Sequence, residues 1–413
     1  MAKYAGRIAV LGGGLQGCLV ALALAERGAR VTLFERAPAL LSRTILASEG
    51  KIHLGYVYAG DRSLATARTM MRGALSFAPI VRRFLGSAHS YFNTSTPFAY
   101  AVHRGSLLTA AEVGRYLQAV HVEIMQIGHG REDSYFGIDL AETPRIRHAA
   151  DRAHEFDPRS VIAVFDTPEI AIHPSLLAMA LRERVVADPS IEVRTHFTVD
   201  AIADNDNGFS VVGANAEGNA GGRYDHVVNA LWDGRLAVDV KRGLIPNRPW
   251  LHRFKYGIHF VPAKRRVSLP SVTVVLGPFG DIVSYADGSI YLSWYPVCMT
   301  GLSIDATPPA WPKNPAEPLR ARLVRKSLEA MTAIVPALGD LDSADVRQAE
   351  AKGGVIIAWG KTDIDDPGSE LHRRYEIGVH SHGHYHSIDP GKLTMAPYFA
   401  VLCAERIAGS ETI

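Results

Sequence analysis

The sequence has few of the features that mark several large classes of protein. Only 3 of its 413 residues are cysteines, Cys18, Cys298 and Cys403, and they lie far apart with no Cys-x-x-Cys pair. This spacing offers no disulfide framework and favours a reducing, cytoplasmic environment. No apolar run is long enough to cross a bilayer, and a strand pattern begins within a few residues of Met1, where a signal peptide would stand. We therefore expect neither a membrane span nor secretion.

The sequence also has no marked excess of positive or negative charge. The 44 lysine and arginine residues nearly balance 42 aspartate and glutamate residues, for a formal net charge of +2. No basic run or basic amphipathic helix stands out, so neither nucleic acid nor a membrane surface is indicated as a partner. Apolar residues make up 47% of the chain, enough for a large core, and the length suits two domains.

The start of the chain contains a complete dinucleotide-binding unit. An apolar stretch is followed by Gly12-Gly13-Gly14-Leu15-Gln16-Gly17, then by an apolar helical pattern and a second strand that ends in Glu35. Gly12 permits the tight turn, Gly14 lets the backbone approach a pyrophosphate, and Gly17 lets helix and sheet pack closely. The helix N-terminus offers unpaired N–H groups to the phosphates, and Glu35 would hold a ribose hydroxyl.

Beyond Glu35 the pattern does not continue as repeated βαβ units. Helical patterns cover about 64–84, 175–187 and 395–407, and a further helix ends near 335; strand-like stretches with turn signals occupy much of 190–230 and 250–294. We predict an α/β (α+β) fold in which a Rossmann-like domain is interleaved with an antiparallel-sheet substrate domain. The predicted nucleotide domain comprises 1–88, 161–234 and 344–413, and the substrate domain 89–160 and 235–343. This layout suits a permanently bound flavin better than a nicotinamide.

Three segments carry a family resemblance. Ile52-His53-Leu54-Gly55-Tyr56-Val57-Tyr58 resembles the flavin-ring loop of FAD-dependent glycerol-3-phosphate dehydrogenases and of L-2-hydroxyglutarate oxidases. Gly391-Lys392-Leu393-Thr394 resembles the C-terminal flavin-binding loop of the glycerol-3-phosphate enzymes, and Val227-Val228-Asn229-Ala230 is similar to a strand that closes the FAD domain. All belong to the D-amino-acid-oxidase-like superfamily. The family usually continues that strand with a glycine, where Leu231 stands here.

The resemblance implies bound FAD and oxidation of a C–H bond beside a hydroxyl or an amine. The resemblance and the glycine-rich turn together predict the FAD contacts. They are Gly12, Gly14, Leu15, Gln16, Gly17, Glu35, Arg36, Arg43, Ser48, Gly50, His53, Val199, Asn229, Ala230, Gly391, Lys392, Leu393 and Thr394.

Two residues are candidates for catalysis. Hydride transfer to flavin N5 leaves negative charge at N1 and the C2 carbonyl oxygen, which Lys392 and the Thr394 amide could stabilise. His53 could take the hydroxyl proton of the substrate, because an unperturbed imidazole pKa of about 6.5 suits a general base. Two alternatives for His53 remain open, a purely structural hydrogen bond and a covalent tether to FAD. Lys392 could instead be a solvated loop lysine.

Four residues are candidates for substrate binding. Arg373, like the adjacent Arg374, indicates an anionic substrate because a guanidinium can hold a carboxylate or phosphate bidentately; surface arginines in a loop are the alternative. Lys255 and Tyr256 lie on a strand pattern and could face the substrate. His384 belongs to His380-Ser381-His382-Gly383-His384-Tyr385-His386, whose histidines would share one face of a strand. A metal site there is an alternative, but no acidic or cysteine partner has a recognised spacing, so we predict no metal and a place in the flavin or substrate pocket.

The sequence therefore predicts an FAD-dependent oxidoreductase that takes a hydride from a CH–OH carbon of a small polar, anionic substrate. An amine or amino-acid oxidase or dehydrogenase is the alternative within the superfamily. More distant alternatives are a nicotinamide-dependent dehydrogenase and a non-catalytic nucleotide-binding protein. The expected partners are the small-molecule substrate and an electron acceptor, either oxygen or a quinone or other carrier.

Overall fold

A computed structural model describes residues 4–87, 90–128, 135–206, 208–214, 222–262, 268–277 and 279–409. The strands are β1 (Arg7–Leu11), β2 (Arg30–Phe34), β3 (Lys51–Ile52), β4 (Phe98–His103), β5 (Arg145–Ile146), β6 (Val161–Asp166), β7 (Ile170–Ala171), β8 (Ile191–Arg194), β9 (Thr198–Asn205), β10 (Gly208–Ala214), β11 (His226–Asn229), β12 (Trp250–Phe260), β13 (Ser271–Val274), β14 (Gly280–Ser284), β15 (Ile290–Trp294), β16 (Met299–Ser303), β17 (Glu350–Trp359), β18 (Gly378–His382) and β19 (Tyr385–Asp389). The helices are α1 (Leu15–Ala25), α2 (Ala65–Leu85), α3 (Ala110–Gly128), α4 (Ala149–Glu155), α5 (Pro174–Val186), α6 (Arg235–Lys241), α7 (Tyr295–Cys298), α8 (Leu319–Thr332), α9 (Ser343–Gln348) and α10 (Ala396–Gly409). Across these ranges, no helix combines the length and apolar content needed to cross a membrane.

The first layer is a six-stranded sheet in the order β18-β19-β11-β1-β2-β8. Its strands are parallel except for β18, which pairs with β19 as an antiparallel hairpin. β1 lies inside this sheet, and its residues 8–11 are fully buried, which explains why the strand is apolar on both faces. α1 packs on this sheet and against α10, so the first and last helices share one core. The predicted Rossmann-like domain is confirmed.

The second layer is a nine-stranded, mostly antiparallel sheet in the order β16-β12-β15-β14-β13-β4-β6-β5, with β17 also paired to β12. Side chains alternate between its two faces along β12. Phe254, Tyr256 and Ile258 enter a core that includes Leu323 and Met331 of α8. On the opposite face of β12, Arg253 and Lys255 line a cavity that residues next to the six-stranded sheet also line. The predicted α/β fold with a second, antiparallel layer is confirmed.

Two of the strands lie outside the domain to which the sequence analysis assigned them. The boundaries at 160/161 and 343/344 placed β6 and β17 with the nucleotide domain, whereas both strands pair within the nine-stranded sheet. β6 pairs with β4, and β17 pairs with ten consecutive residues of β12. A strand pattern reports burial and alternation but not the pairing partner, which is why the sequence could not assign these two strands. The sequence analysis also did not predict α3.

The histidine run forms a hairpin rather than one continuous strand. Gly383, with a φ of +59°, turns the chain between β18 and β19. His384 lies in this turn, where its ring stacks on that of His226 at 4.3 Å. His386 Nε2 lies 3.1 Å from His226 Nδ1, and its Nδ1 lies 2.9 Å from Ser381 Oγ. Within the described residues, no group of three or more histidine, cysteine or acidic side chains could hold a metal ion.

Acidification should destabilise the protein through this histidine pair. Burial lowers the pKa of His226 to about 4 and that of His386 to about 3. Below about pH 6.5 the unfolded chain binds protons on both residues while the folded chain does not, so the free energy of unfolding falls as the pH falls towards 4. The expected slope is about 1.4 kcal/mol per pH unit for each proton of difference.

Denaturant-induced unfolding at pH 7, 6 and 5 measures this slope. In the His386→Gln variant the slope should be smaller by about 1.4 kcal/mol per pH unit, because one of the two buried imidazoles is gone. His154→Gln, a change at an exposed histidine of α4, is the matched control. Equal slopes for the wild type and His386→Gln would contradict the prediction.

Candidate functional site

A cavity of about 560 Å³ is lined by residues of both sheets. On one side it meets the carboxyl ends of β1, β2 and β11, where ligands bind in open parallel sheets. On the other side it meets β12, β14 and β15 of the nine-stranded sheet, together with the turn before α10. The cavity therefore joins the glycine-rich turn to His53 and to a group of buried charges.

The glycine-rich turn has the close contacts that a dinucleotide requires. Gly12 has a φ of +97°, and a Cβ there would lie 2.7 Å from the Ala230 carbonyl oxygen. A Cβ on Gly17 would lie 1.8 Å from the Gly12 carbonyl oxygen, so α1 packs on the turn without room for a methyl group. Around Gly14, by contrast, a Cβ would meet no described atom within 4 Å beyond those of its chain neighbours and of the nearby helix backbone. Gly14 therefore leaves open space at the N-terminus of α1 that a phosphate can approach.

The acidic group at the end of β2 is held at the cavity wall. Glu35 is 8% exposed; its Oε2 accepts a hydrogen bond from Gly13 N at 2.8 Å and its Oε1 accepts one from Ala37 N at 2.7 Å. The remaining lone pairs of this carboxylate can accept ribose hydroxyls. Arg36 and Arg43 also line the cavity, and Asp233, which the sequence analysis did not single out, binds both at 2.7 and 2.9 Å.

The other expected FAD contacts divide into two groups. Those that line the cavity are Leu15, Gln16, Ser48, His53, Val199, Ala230, Gly391, Lys392 and Leu393. Gly17, Gly50, Asn229 and Thr394 are not among the lining residues. Gly50 has a φ of +71° and passes close to the Ile172 carbonyl, and Asn229 Nδ2 donates to Asp239 and to Tyr385 Oη at 2.9 Å each. These residues support the loops around the cavity rather than its surface.

Thr394 connects the two loops that resemble flavin-binding segments. Its Oγ1 accepts a hydrogen bond from His53 N at 3.0 Å and donates one to the Lys51 carbonyl at 3.2 Å. Thr394 is fully buried, and the role predicted for its amide stays a prediction. The C-terminal loop thus fixes the position of the backbone at His53.

His53 lies beside a buried carboxylate that the sequence analysis missed. β3 pairs with β7, and this pairing places His53 Nδ1 3.5 Å from Glu169 Oε1. Both residues are buried, and Glu169 also accepts hydrogen bonds from Leu54 N at 2.6 Å and from the Tyr100 hydroxyl. At 3.5 Å the two side chains are in electrostatic contact without a close hydrogen bond. The stretch 161–172 is mostly apolar and contains two acids, Asp166 and Glu169, and this pattern was the one available signal for Glu169.

The two pKa shifts keep His53 neutral beside a charged carboxylate. Burial lowers the pKa of His53, and the opposing effect of Glu169 does not cancel it. Burial alone would raise the pKa of Glu169, but the contact with His53 and the charge of Lys51 lower it. A neutral imidazole oriented by a carboxylate is the arrangement of a general base.

Cationic side chains surround the cavity near His53. Lys51 Nζ lies 2.9 Å from Asp281 Oδ1, and Arg253 Nη1 lies 2.7 Å from Asp363 Oδ1. Burial, followed by the charge of Arg374, lowers the pKa of Lys392 to about 7.

The expected substrate residues are only partly brought together. Lys255 lines the cavity, with its Nζ 5.6 Å from the centre of the Tyr295 ring. Tyr256 points to the other face of β12 and donates a hydrogen bond to the Pro312 carbonyl at 2.8 Å. Arg373 is exposed, whereas its neighbour Arg374 is 9% exposed and lines the cavity. His384 lies in the β18–β19 turn, away from the cavity. Tyr256 and Arg373 were predicted to contact the substrate, but their side chains lie on the side of the chain that faces away from the cavity. His384 was predicted to do so too, but the turn at Gly383 places it elsewhere.

Two glycine substitutions should separate cofactor binding from folding. Gly14→Ala adds a methyl group to open space, so the FAD-free protein should unfold at the wild-type temperature while FAD affinity falls at least about tenfold. Gly17→Ala forces a Cβ onto the Gly12 carbonyl and should lower the free energy of unfolding by about 1–3 kcal/mol even without FAD. Thermal unfolding of the FAD-free proteins and FAD titration measure the two effects. Full FAD binding by Gly14→Ala would contradict the expected close approach.

Comparisons with known proteins identify the family of this chain. A family model described as FAD dependent oxidoreductase (DAO) matches residues 7–406. D-amino acid dehydrogenase of Cereibacter sphaeroides is 34% identical over 115 residues, which cover 26% of this chain and 26% of that protein. The matched stretch thus spans about a quarter of this curated relative.

Solved structures resemble the fold over nearly its full length. Glycine oxidase from Geobacillus kaustophilus is 15% identical, with a TM-score of 0.65 and coverage of 97% of this chain and 95% of that chain. L-alpha-glycerophosphate oxidase from Mycoplasma pneumoniae, solved with FAD bound, is 16% identical, with a TM-score of 0.62 and coverage of 98% and 95%. At such identities the likeness concerns the fold alone. Because the family model spans almost the whole chain, the protein belongs to the FAD-dependent oxidoreductase (DAO) family and is an enzyme that uses FAD.

Proposed function

We propose that this enzyme oxidises a CH–OH carbon of a small anionic substrate, with His53 as the general base. The observation that carries the proposal is the buried pair of His53 and Glu169 at the wall of a cavity that also contains Arg374 and Lys255. Removal of a hydride from an alcohol carbon requires that the hydroxyl proton leave as well. A neutral histidine beside a carboxylate is suited to accept that proton.

The residues that would hold FAD line the side of the cavity at the carboxyl ends of β1, β2 and β11. The glycine-rich turn and the N-terminus of α1 would bind its pyrophosphate, and Glu35 its ribose. Ser48 and the 391–393 segment lie where the loops resembling flavin-ring segments meet the cavity. When bound, FAD supplies the hydride acceptor.

His53 would accept the substrate proton on Nε2. Its Nδ1 faces Glu169, and a carboxylate there favours the tautomer that carries the proton on Nδ1. After the transfer the imidazolium would be stabilised by the negative charge of Glu169, which is 3.5 Å away. Glu169 is therefore a positioning residue, since it acts on the substrate only through His53.

Arg374 and Lys255 would bind the anionic group of the substrate. Arg374 Nε donates to the Leu371 carbonyl at 3.1 Å, and its side chain reaches the cavity wall. Arginine binds carboxylates and phosphates with two parallel hydrogen bonds, which orients the substrate as well as holding it. Lys392, in its charged form below about pH 7, would add positive charge beside the reacting carbon.

Oxidation of an amine or amino acid is the second candidate. The similarity to D-amino acid dehydrogenase over 115 residues favours it, and glycine oxidase has a similar fold. The two candidates differ in what they require of His53. A neutral amine can lose a hydride without a base, whereas an alcohol cannot do so efficiently.

Anaerobic reduction of the FAD-loaded enzyme by separate pools tests the proposal. The pools are 2-hydroxy acids, polyol phosphates, sugars and amino acids, and flavin absorbance is the readout. Bleaching by a pool of hydroxy compounds supports the proposal. Bleaching by amino acids alone would reject it in favour of the second candidate.

Substitution of the base should slow the reduction step. His53→Gln should lower the rate of anaerobic flavin reduction by about 10²–10⁴-fold with a smaller change in substrate affinity, because the proton acceptor is lost. Glu169→Gln should lower the same rate to a lesser extent and shift its pH profile. His372→Gln, at a cavity-lining histidine whose ring bonds the Asp366 carbonyl, is the matched control. An unchanged reduction rate in His53→Gln would remove His53 from catalysis.

A further inference from the structure

Two of the cations beside the cavity, Lys51 and Arg253, are each neutralised by a carboxylate of their own. Lys51 is 3% exposed and bound to Asp281, while Arg253 is 2% exposed and bound to Asp363. An unpaired charge at such depth would be strongly destabilising, so each pair is best treated as one neutral unit.

Glu49 balances the two lysines that have no such close partner. Burial would raise the pKa of Glu49, but the charges of Lys392 and Lys255 lower it, so that it is a carboxylate. The pKa of Lys392 is itself lowered to about 7. Glu49 therefore interacts electrostatically with both lysines.

Arg374 lies at the cavity wall without an ion-pair partner among the described residues. Its Nε donates to the Leu371 carbonyl, and among the described residues its terminal nitrogens have no hydrogen-bond partner and no carboxylate within ion-pair distance. Burial and the charge of Arg253 lower its pKa to about 10, which leaves it charged at pH 8. The Arg374 guanidinium consequently remains available to one anionic group of a substrate.

Besides Arg374, a substrate carboxylate could bind at Arg253, but Asp363 already occupies that position. Its Oδ1 accepts hydrogen bonds from Arg253 Nη1 at 2.7 Å, from the Tyr295 hydroxyl at 3.2 Å and from Ile364 N at 2.7 Å. Arg253 and Tyr295 both line the cavity, and together they form a donor set for an anionic oxygen. Asp363 comes from the segment between β17 and β18, and it occupies Arg253 Nη1 and the Tyr295 hydroxyl.

We infer that the site selects substrates with a single negative charge, such as monocarboxylic hydroxy acids, and that Asp363 determines this selection by occupying Arg253 and Tyr295. The inference rests on the proposed function for the position of the substrate, and it specifies the substrate class. A second carboxylate on the substrate would find Arg253 already neutralised. It would also face the charges of Glu49 and Asp363.

A pair of ligands with equal carbon number tests the inference. Butanoate has one carboxylate and succinate has two; both are titrated into the FAD-loaded enzyme at pH 8, with the perturbation of flavin absorbance as the readout. In the wild type, succinate should bind no more tightly than butanoate. In Asp363→Asn, which frees Arg253, succinate should bind at least about tenfold more tightly than in the wild type, while butanoate affinity changes less than about threefold.

Asp365→Asn is the matched control. Asp365 is exposed on the same segment, so the substitution removes the same charge without contact to either arginine. It should leave both affinities unchanged. Equal gains in succinate affinity for the two variants would overturn the inference, since the effect would then be one of overall charge.

Three further results would overturn it. They are tighter binding of succinate than of butanoate by the wild type, a loss of both ligands in Asp363→Asn, and no flavin perturbation by either ligand in the wild type. The first would mean that Arg253 is available to the substrate, and the second that Asp363 only supports Arg253. The third would mean that Arg374 binds no carboxylate.

A double variant covers the case in which Asp363→Asn does not fold. Arg253→Met with Asp363→Leu removes both charges of the pair together, so no buried charge is left unpaired. Butanoate should bind within about threefold of its wild-type affinity, whereas a loss of about a hundredfold would identify Arg253 as the carboxylate site and overturn the inference. These titrations require no turnover. If hydroxy acids fail to reduce the flavin, the proposed function is rejected, but the inferred selection of singly charged ligands is still decided by the titrations.

Discussion

The need to balance charge between two packed sheets governs the arrangement of this protein. Ionised groups are costly in a low-dielectric interior unless opposite charges and hydrogen bonds compensate them. Lys51 with Asp281, and Arg253 with Asp363, meet this requirement at distances below 3 Å. Each pair joins segments that are far apart in the sequence, so the same contacts that neutralise the charges also hold the cavity wall together.

The interleaved chain is what makes these contacts possible. β3 and β7 bring His53 to Glu169, and the turn before α10 brings Thr394 to the backbone of His53. The catalytic candidate is thus supported on two sides by segments that belong to different parts of the chain. Such support restricts the orientation of the imidazole, and orientation matters because proton transfer depends strongly on distance.

The sequence was a good guide wherever function depends on local backbone geometry. The glycine-rich turn, Glu35 and the two loops that resemble flavin-binding segments all reach the cavity, because a tight turn at a strand end can be read from neighbouring residues. It was a poor guide to side-chain direction. Arg373 and Arg374 are adjacent and chemically identical, yet only Arg374 faces the cavity, and Tyr256 points away from it while Lys255 points towards it.

The sequence alone therefore determined the Rossmann-like unit and the layered α/β fold, since these follow from short-range patterns of glycine, apolar residues and one acid. The use of FAD followed from the resemblance of two loops and a strand to flavin-binding segments. Only the tertiary structure decided that β6 and β17 join the nine-stranded sheet and that Glu169 lies beside His53. It alone also decided that Asp363 neutralises Arg253 while Arg374 has no carboxylate partner among the described residues. The physical reason is that each of these contacts joins residues about 60 or more positions apart, and their proximity is set by sheet pairing and burial rather than by any local preference.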